Sequence, residues 1–160
     1  MTAPTPRAAW LLRAGLALLP MALPSLALPQ EAQGLQIDVS GLPQLGQQWR
    51  DENPYRGNAT AVKVGEAAFT QACGRCHVLA TSGGIGPDLR SLDAYCLKIA
   101  DAQIRSACMK DQDHYFRKTV LEGKVIVGVT HMPAWKGLLS QEALWAIRTY
   151  IESRRPGCCP

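Results

Sequence analysis

The chain has 160 residues, six cysteines and a formal charge of +4, a size that suits one domain with a modest core. Arg7 and Arg13 fall in the first 27 residues, which contain no acid, so the remainder carries only +2. That balance excludes a case for a nucleic-acid or membrane-surface partner built on charge.

The first residues read as a secretory signal. Arg7 and Arg13 precede an apolar run from Ala14 to Leu28 that is broken by Pro20 and Pro24, and Ser25-Leu26-Ala27 offers small residues for cleavage after Ala27. The run is too short and too interrupted for a spanning helix, so residues 1–27 are set aside as a signal peptide and no membrane span is expected in the mature form. Export implies an oxidising compartment in which disulfides are permitted.

Residues 28–58 form an extended arm: Gly34, Gly41, Pro43, Gly46, Pro54 and Gly57 break any long element. Leu35, Ile37, Val39 and Leu42 could pin it to the domain surface, and a passive leader is the competing expectation. The domain proper is expected over residues 59–157, with 158–160 as a C-terminal tail. Asn58 or Thr60 can cap a first helix carrying Val62, Gly65, Phe69 and Cys73 at helical spacing. A turn-rich loop follows at Gly83-Gly84 and Gly86-Pro87, then a short helix from about Arg90 to Ala100. Asp111-Gln112-Asp113 opens the next helix, which runs through Tyr115, Phe116, Thr119 and Val120 and stops at Gly123. Val125 to Val129 has strand-forming residues but no evident partner, so a loop to Met132 is expected. Ser140 caps a last helix with Glu142 in its first turn, an apolar stripe of Leu144, Ile147, Tyr150 and Ile151 with Trp145 nearby, and Arg154 and Arg155 at its end. Gly65 and Phe69 are expected to meet Tyr150 where the first and last helices cross. The pattern is that of a small all-α domain.

Cys73-Gly74-Arg75-Cys76-His77 carries the chemistry. Cys-x-x-Cys-His reads as covalent attachment of a c-type haem. Two thiols add across the two porphyrin vinyl groups, and the adjoining imidazole faces the iron. On a helical turn Cys73, Cys76 and His77 share one face. A redox disulfide would call for a βαβ setting, and a zinc site for a second Cys/His pair; neither is present in the pattern. Pro87 suggests a backbone carbonyl that accepts the Nδ1 hydrogen of His77 and fixes the ring. For the second axial ligand Met132 is the choice, within His131-Met132-Pro133-Ala134-Trp135 just before the last helix. Met109, His131 and His114 are its rivals, read respectively as a packing residue and two ordinary surface histidines. Cys96 and Cys108 are either a loop-closing disulfide or two structural thiols. Cys158-Cys159 finds no assignment.

Gly65, Phe69, Cys73, Cys76 and His77, then Gly86-Pro87, Met132-Pro133 and Tyr150, resemble the pattern of class I cytochromes c over about Val62 to Arg154. Asn53-Pro54-Tyr55-Arg56-Gly57-Asn58, the Cys96 to Cys108 insertion, Asp113-His114-Tyr115-Phe116-Arg117-Lys118 and Met132-Pro133-Ala134-Trp135 look like the periplasmic cytochrome c-550 family of quinoprotein (PQQ-dependent) alcohol dehydrogenase systems. The resemblance implies a single domain of about four helices around one covalent haem c, with His77 and Met132 as iron ligands and Cys96 bonded to Cys108. It also implies a periplasmic one-electron carrier, a monomer and not an enzyme, which takes electrons from the quinoprotein dehydrogenase and passes them toward a cytochrome or terminal oxidase. Lys124 and Lys136, on either side of the Met132 loop, are candidate partner contacts. The competing readings are a haem c subunit of another periplasmic oxidoreductase complex and a haem peroxidase-type enzyme with an open iron position.

Overall fold

The computed structural model describes residues 35–79 and 84–157, which belong to one unit, Ala32–Pro160. The expected signal peptide, the start of the arm, Gly83 and Cys158-Cys159 lie outside the described residues.

Residues 35–58 contain no helix or strand, yet they are packed. Leu42 and Tyr55 are buried, and Leu35, Ile37, Val39, Leu45 and Trp49 lie against the same core. The Tyr55 hydroxyl donates to the Pro43 carbonyl. The Leu45 N–H donates to Glu142 Oε1 (2.9 Å) and the Arg50 N–H to Gln141 Oε1 (2.5 Å), while Gln141 Nε2 donates back to the carbonyls of Gly46 and Gln48. These side chains give the irregular backbone partners that helix or sheet would otherwise supply.

Helix α1 (Ala59–Ala72) starts where the Asn58 side chain accepts the Ala61 N–H at 3.0 Å, satisfying one donor of the open first turn. Helix α2 (Ala94–Leu97) is a single turn inside the longer stretch expected. Asp93 precedes it without capping it, because its carboxylate is bound to Arg148 and Arg155. Helix α3 (Ala102–Glu122) begins well before the expected Asp111. Asp101 is the cap: its Oδ1 accepts the N–H groups of Gln103 (2.8 Å) and Ile104 (3.0 Å). The first turns expose Gln103, Ile104, Ser106 and Ala107, so they show no apolar period; only from Met109 do buried positions recur, at Asp113, Phe116 and Val120. Cys108 on this early part of α3 is bonded to Cys96 of α2, with Cα atoms 5.6 Å apart.

The expected loop after α3 is an antiparallel hairpin, β1 (Lys124–Ile126) and β2 (Val129–Met132). The partner strand is the chain's own continuation. Val127 (φ 49°) and Gly128 (φ 77°) both take left-handed backbone in the two-residue turn, where Asn-Gly is the usual signature. Helix α4 (Gln141–Ser153) starts where Ser140 Oγ accepts the Ala143 N–H at 3.1 Å, and its residues are buried almost all round. Among the described residues no helix is long and apolar enough to cross a membrane.

α1 and α4 cross at Gly65. A Cβ there would lie 2.5 Å from Ala146 C and 2.8 Å from Tyr150 Cβ, and closer still to Ala146 O. Beside the crossing, the Phe69 and Tyr150 rings stack tilted with centroids 5.6 Å apart. On another side of α4, Arg148, 1 % exposed, reaches Asp93 (2.8 Å), Asp113 (3.1 Å) and Glu152 (3.3 Å). Arg155 completes Asp93 at 2.6 Å, and Arg56 of the arm binds Asp113 at 2.7 Å and Glu152 at 3.1 Å. Three cations thus meet three acids, and the cluster ties the arm, the α2 entry, α3 and α4 in one register.

Candidate haem site

The motif continues α1 by one turn. The Cys73 and Gly74 N–H groups both donate to the Phe69 carbonyl at 2.8 Å, and the His77 N–H donates to the Cys73 carbonyl at 2.9 Å. This i to i−4 bond places Cys73 and His77 one helical turn apart, as attachment and ligation require. The Gly86 N–H returns to the Cys76 carbonyl at 2.9 Å, so the loop containing Pro87 is fastened to the motif.

The orientation of His77 follows from that loop. Its Nδ1 lies 2.9 Å from the Pro87 carbonyl. A carbonyl can only accept, so Nδ1 is the donor, and in the neutral ring the lone pair that a metal would need is then on Nε2. Gly86 makes the approach possible: a Cβ there would sit 2.6 Å from His77 Cε1 and 2.7 Å from Nδ1. Cys73 and Cys76 are both free thiols. Burial, with the neighbouring Cys76 as the lesser cause, pushes the Cys73 thiol up to about 12. Among the described residues no group of three or more His, Cys, Asp or Glu could hold a metal ion. Two free thiols and a tautomer-locked imidazole on one turn fit haem c. Beside them lies a cleft of about 440 Å³ lined by Phe69, Thr70, His77, Leu79, Tyr150 and Arg154 among others.

Met132 is held by a separate framework. It ends β2 opposite Lys124 and packs, partly buried, against the core. Gly123 brings the chain close: a Cβ there would lie 2.5 Å from the Met132 carbonyl oxygen and 2.8 Å from Ala134 N. The N–H groups of Trp135 and Lys136 then donate to the Val120 and Leu121 carbonyls at 3.0 and 3.2 Å. The segment after Met132 therefore satisfies carbonyls that the end of α3 leaves open. Met109 is buried on α3 and lines a different cavity of about 260 Å³ with Glu52, Arg56, Arg105 and Arg155, in keeping with a packing role. His131 and His114 are exposed, and His114 Nδ1 lies 3.4 Å from an Arg117 amino group. Gly86 and Gly123, whose missing side chains make room for His77 and for the backbone at Met132, show in the sequence only as part of the Gly86-Pro87 turn and family pattern and as a helix stop.

The chain matches the family model described as cytochrome c oxidase, cbb3-type, subunit III, over residues 60–151. It is 40 % identical over 148 residues to cytochrome c550 of Pseudomonas aeruginosa, an alignment that spans 89 % of this chain and 92 % of the relative. No solved structure gives a significant match. The four helices with their small hairpin, the Cys73 to His77 turn and these similarities agree, and the chain belongs to the class I c-type cytochromes of the c550 kind, with covalently bound haem c.

Proposed function

We propose that this c-type cytochrome is a periplasmic one-electron carrier whose haem is attached at Cys73 and Cys76 and ligated by His77 and Met132. Its donor is a PQQ-dependent alcohol dehydrogenase and its acceptor leads to a terminal oxidase. The observation that carries the reading is the His77 Nδ1 bond to the Pro87 carbonyl, which leaves Nε2 as the ring nitrogen available for ligation. When bound, the haem supplies a ferric/ferrous couple.

The chain's own residues set how that couple is used. By accepting the Nδ1 hydrogen, the Pro87 carbonyl raises the basicity of the imidazole and fixes its plane. The Met132 thioether is a soft donor that favours the ferrous state. The chain just after it is clamped to α3 by the Trp135 and Lys136 N–H groups, which would help hold the thioether in place toward a bound haem. With both His77 and Met132 as its ligands, a bound haem would serve electron transfer rather than peroxidase-type chemistry.

Met132→Ala tests the ligand. The Met-to-ferric-iron charge-transfer band disappears in the variant, and cyanide binds it far faster than it binds the wild type. An unaltered band removes Met132 from the iron, and tight cyanide binding by the untreated wild type favours an enzyme. Mixing oxidised protein with purified PQQ-dependent alcohol dehydrogenase and alcohol tests the donor. Haem reduction no faster than that of an unrelated cytochrome c overturns the dehydrogenase assignment and leaves the carrier standing.

A further inference from the structure

Among the described residues, every arginine that is at least partly buried pairs with a carboxylate except Arg105. The pairing has a repeated form. Arg90 closes its Nε and Nη2 on Asp88 at 3.0 and 2.8 Å, and Arg155 closes the same two donors on Asp93 at 2.7 and 2.6 Å. Arg56 does so on Glu152 at 3.2 and 3.1 Å. These parallel donors form the planar fork that matches the two oxygens of a carboxylate.

Arg105 is held by its other end. Its Nη1 donates to the Ile99 carbonyl at 2.7 Å and, more weakly, to that of Ala100 at 3.4 Å, which anchors the guanidinium and leaves the fork without a partner among the described residues. Asp101, one turn back, does not fill it, because its Oδ1 accepts the Gln103 and Ile104 N–H groups. Arg105 lines the cavity of about 260 Å³ between the arm, α2, α3 and the end of α4. Met109 and Leu97 give this cavity an apolar wall, and Leu97 is 48 % exposed. Arg56 lines it from the arm, with Nη1 unused by its bonds to Asp113 and Glu152. Glu52 also lines it and is paired with Lys110 at 3.3 Å. Around the cavity Arg56, Arg105, Arg148, Arg155 and Lys110 thus stand against Glu52, Asp93, Asp101, Asp113 and Glu152. A balanced shell with one unfilled fork suits one negative charge, whereas a phosphate or a dicarboxylate would bring a second with no cation to meet it.

We propose that this cavity binds a small monocarboxylate, its two oxygens on Nε and Nη2 of Arg105 and its short hydrocarbon part against Met109 and Leu97. The volume is below the ~300–1,000 Å³ of drug-sized sites, which limits the ligand to a short-chain acid. No lining residue is shared with the cleft beside His77, so the site is separate from the haem motif and does not depend on the carrier reading.

The test is ligand-observed saturation-transfer NMR on the reduced, full-length holoprotein titrated with sodium butyrate, at an ionic strength held constant with sodium chloride. Butyrate saturates one site, and affinity falls about fourfold for each methylene removed toward acetate, the scale of one buried CH₂. Arg105→Gln and Arg105→Lys each weaken butyrate about tenfold, the lysine because it keeps the charge and loses the fork. Ser106→Trp narrows the cavity, which Ser106 also lines, and weakens butyrate as much while leaving the Arg105 anchor in place, so the test survives if the arginine variants disturb the turn. Glu52→Gln tightens binding by removing an acid from the wall. Haem spectra and far-ultraviolet circular dichroism stay as in the wild type throughout. The site is overturned if no acid of the series saturates, or if Arg105→Lys and Ser106→Trp both bind butyrate as the wild type does. Inorganic phosphate bound more tightly than butyrate overturns the monocarboxylate assignment, and chloride displacing butyrate at equal concentration shows an adventitious ion only and overturns it too.

Discussion

Gly65→Ala sets two effects of opposite sign against each other. In an exposed helix interior the change from glycine to alanine stabilises by about 1 kcal/mol through backbone entropy. At the crossing of α1 and α4 the new methyl would lie 2.5 Å from Ala146 C, about 1 Å inside the ordinary carbon contact of ~3.5 Å. The obstructing atoms at Ala146 are backbone in the middle of a buried helix, so no side chain can turn aside. The helices must separate, and the Phe69-Tyr150 contact opens with them. Overpacking of this kind costs about 3 kcal/mol at the upper end of its usual range, leaving a net loss of about 2 kcal/mol. For a domain of this size that lowers the melting temperature by about 4–8 °C. Thermal unfolding of the ferric holoprotein, followed by far-ultraviolet circular dichroism, measures it. A melting temperature equal to or above that of the wild type would show that propensity outweighs packing, and that the crossing is not as close as described.

Other consequences are equally specific. Replacing Cys96 and Cys108 by alanine removes the bond that closes a twelve-residue separation and destabilises by about 3 kcal/mol in the chain-entropy account; urea unfolding shows the loss while the haem spectrum is unchanged. Arg148→Met leaves three buried acids each short of a partner, and since Arg155 still binds Asp93 and Arg56 still binds Asp113 and Glu152, the loss falls near the lower end of the ~3–5 kcal/mol seen for broken buried pairs. Burial pushes the Asp93 carboxyl up, but the Arg155 hydrogen bond and the charges of Arg148 and Arg155 outweigh it and hold the group below its ordinary value. Its contribution is therefore full above about pH 4 and lost as pH falls through the lowered value. The stability difference between wild type and Asp93→Asn narrows accordingly in acid, and a difference that grows there would refute the sign. Gly86→Ala forces the His77 ring from the Pro87 carbonyl; with His77 as the proposed iron ligand, the weaker imidazole donor raises the midpoint potential in a spectroelectrochemical titration.

What the residues alone revealed, and what they concealed, divides by the range of the interaction. Cys73 to His77 is chemistry written within one helical turn, and Ser140 and Asn58 cap helices a few residues away, so each was legible locally. The start of α3 was not, because its first turns face solvent and their only markers are Asp101 and a bond to Cys96. The hairpin was hidden by its turn, which uses Val127 where asparagine would have announced a reversal. The buried charges were hidden most deeply. Arg148 and Glu152 lie outside the apolar stripe of α4 that the sequence shows, and Asp93, Asp113 and Arg56, from three distant segments, turn that side inward. The two seating glycines act by lacking a side chain, which no pattern of side chains reports.

The arm's bonds to Glu142 and Gln141 span 97 and 91 positions. In any vectorial passage of the chain, the arm emerges first and its partners emerge last. Loop closure over such distances is slow relative to local helix formation. Helix α1 can therefore form and offer Cys73 to His77 while the arm is still unsealed and α4 has yet to arrive. Haem attachment can act on an open chain, with the final helix closing arm, crossing and charge cluster together as the last event of maturation.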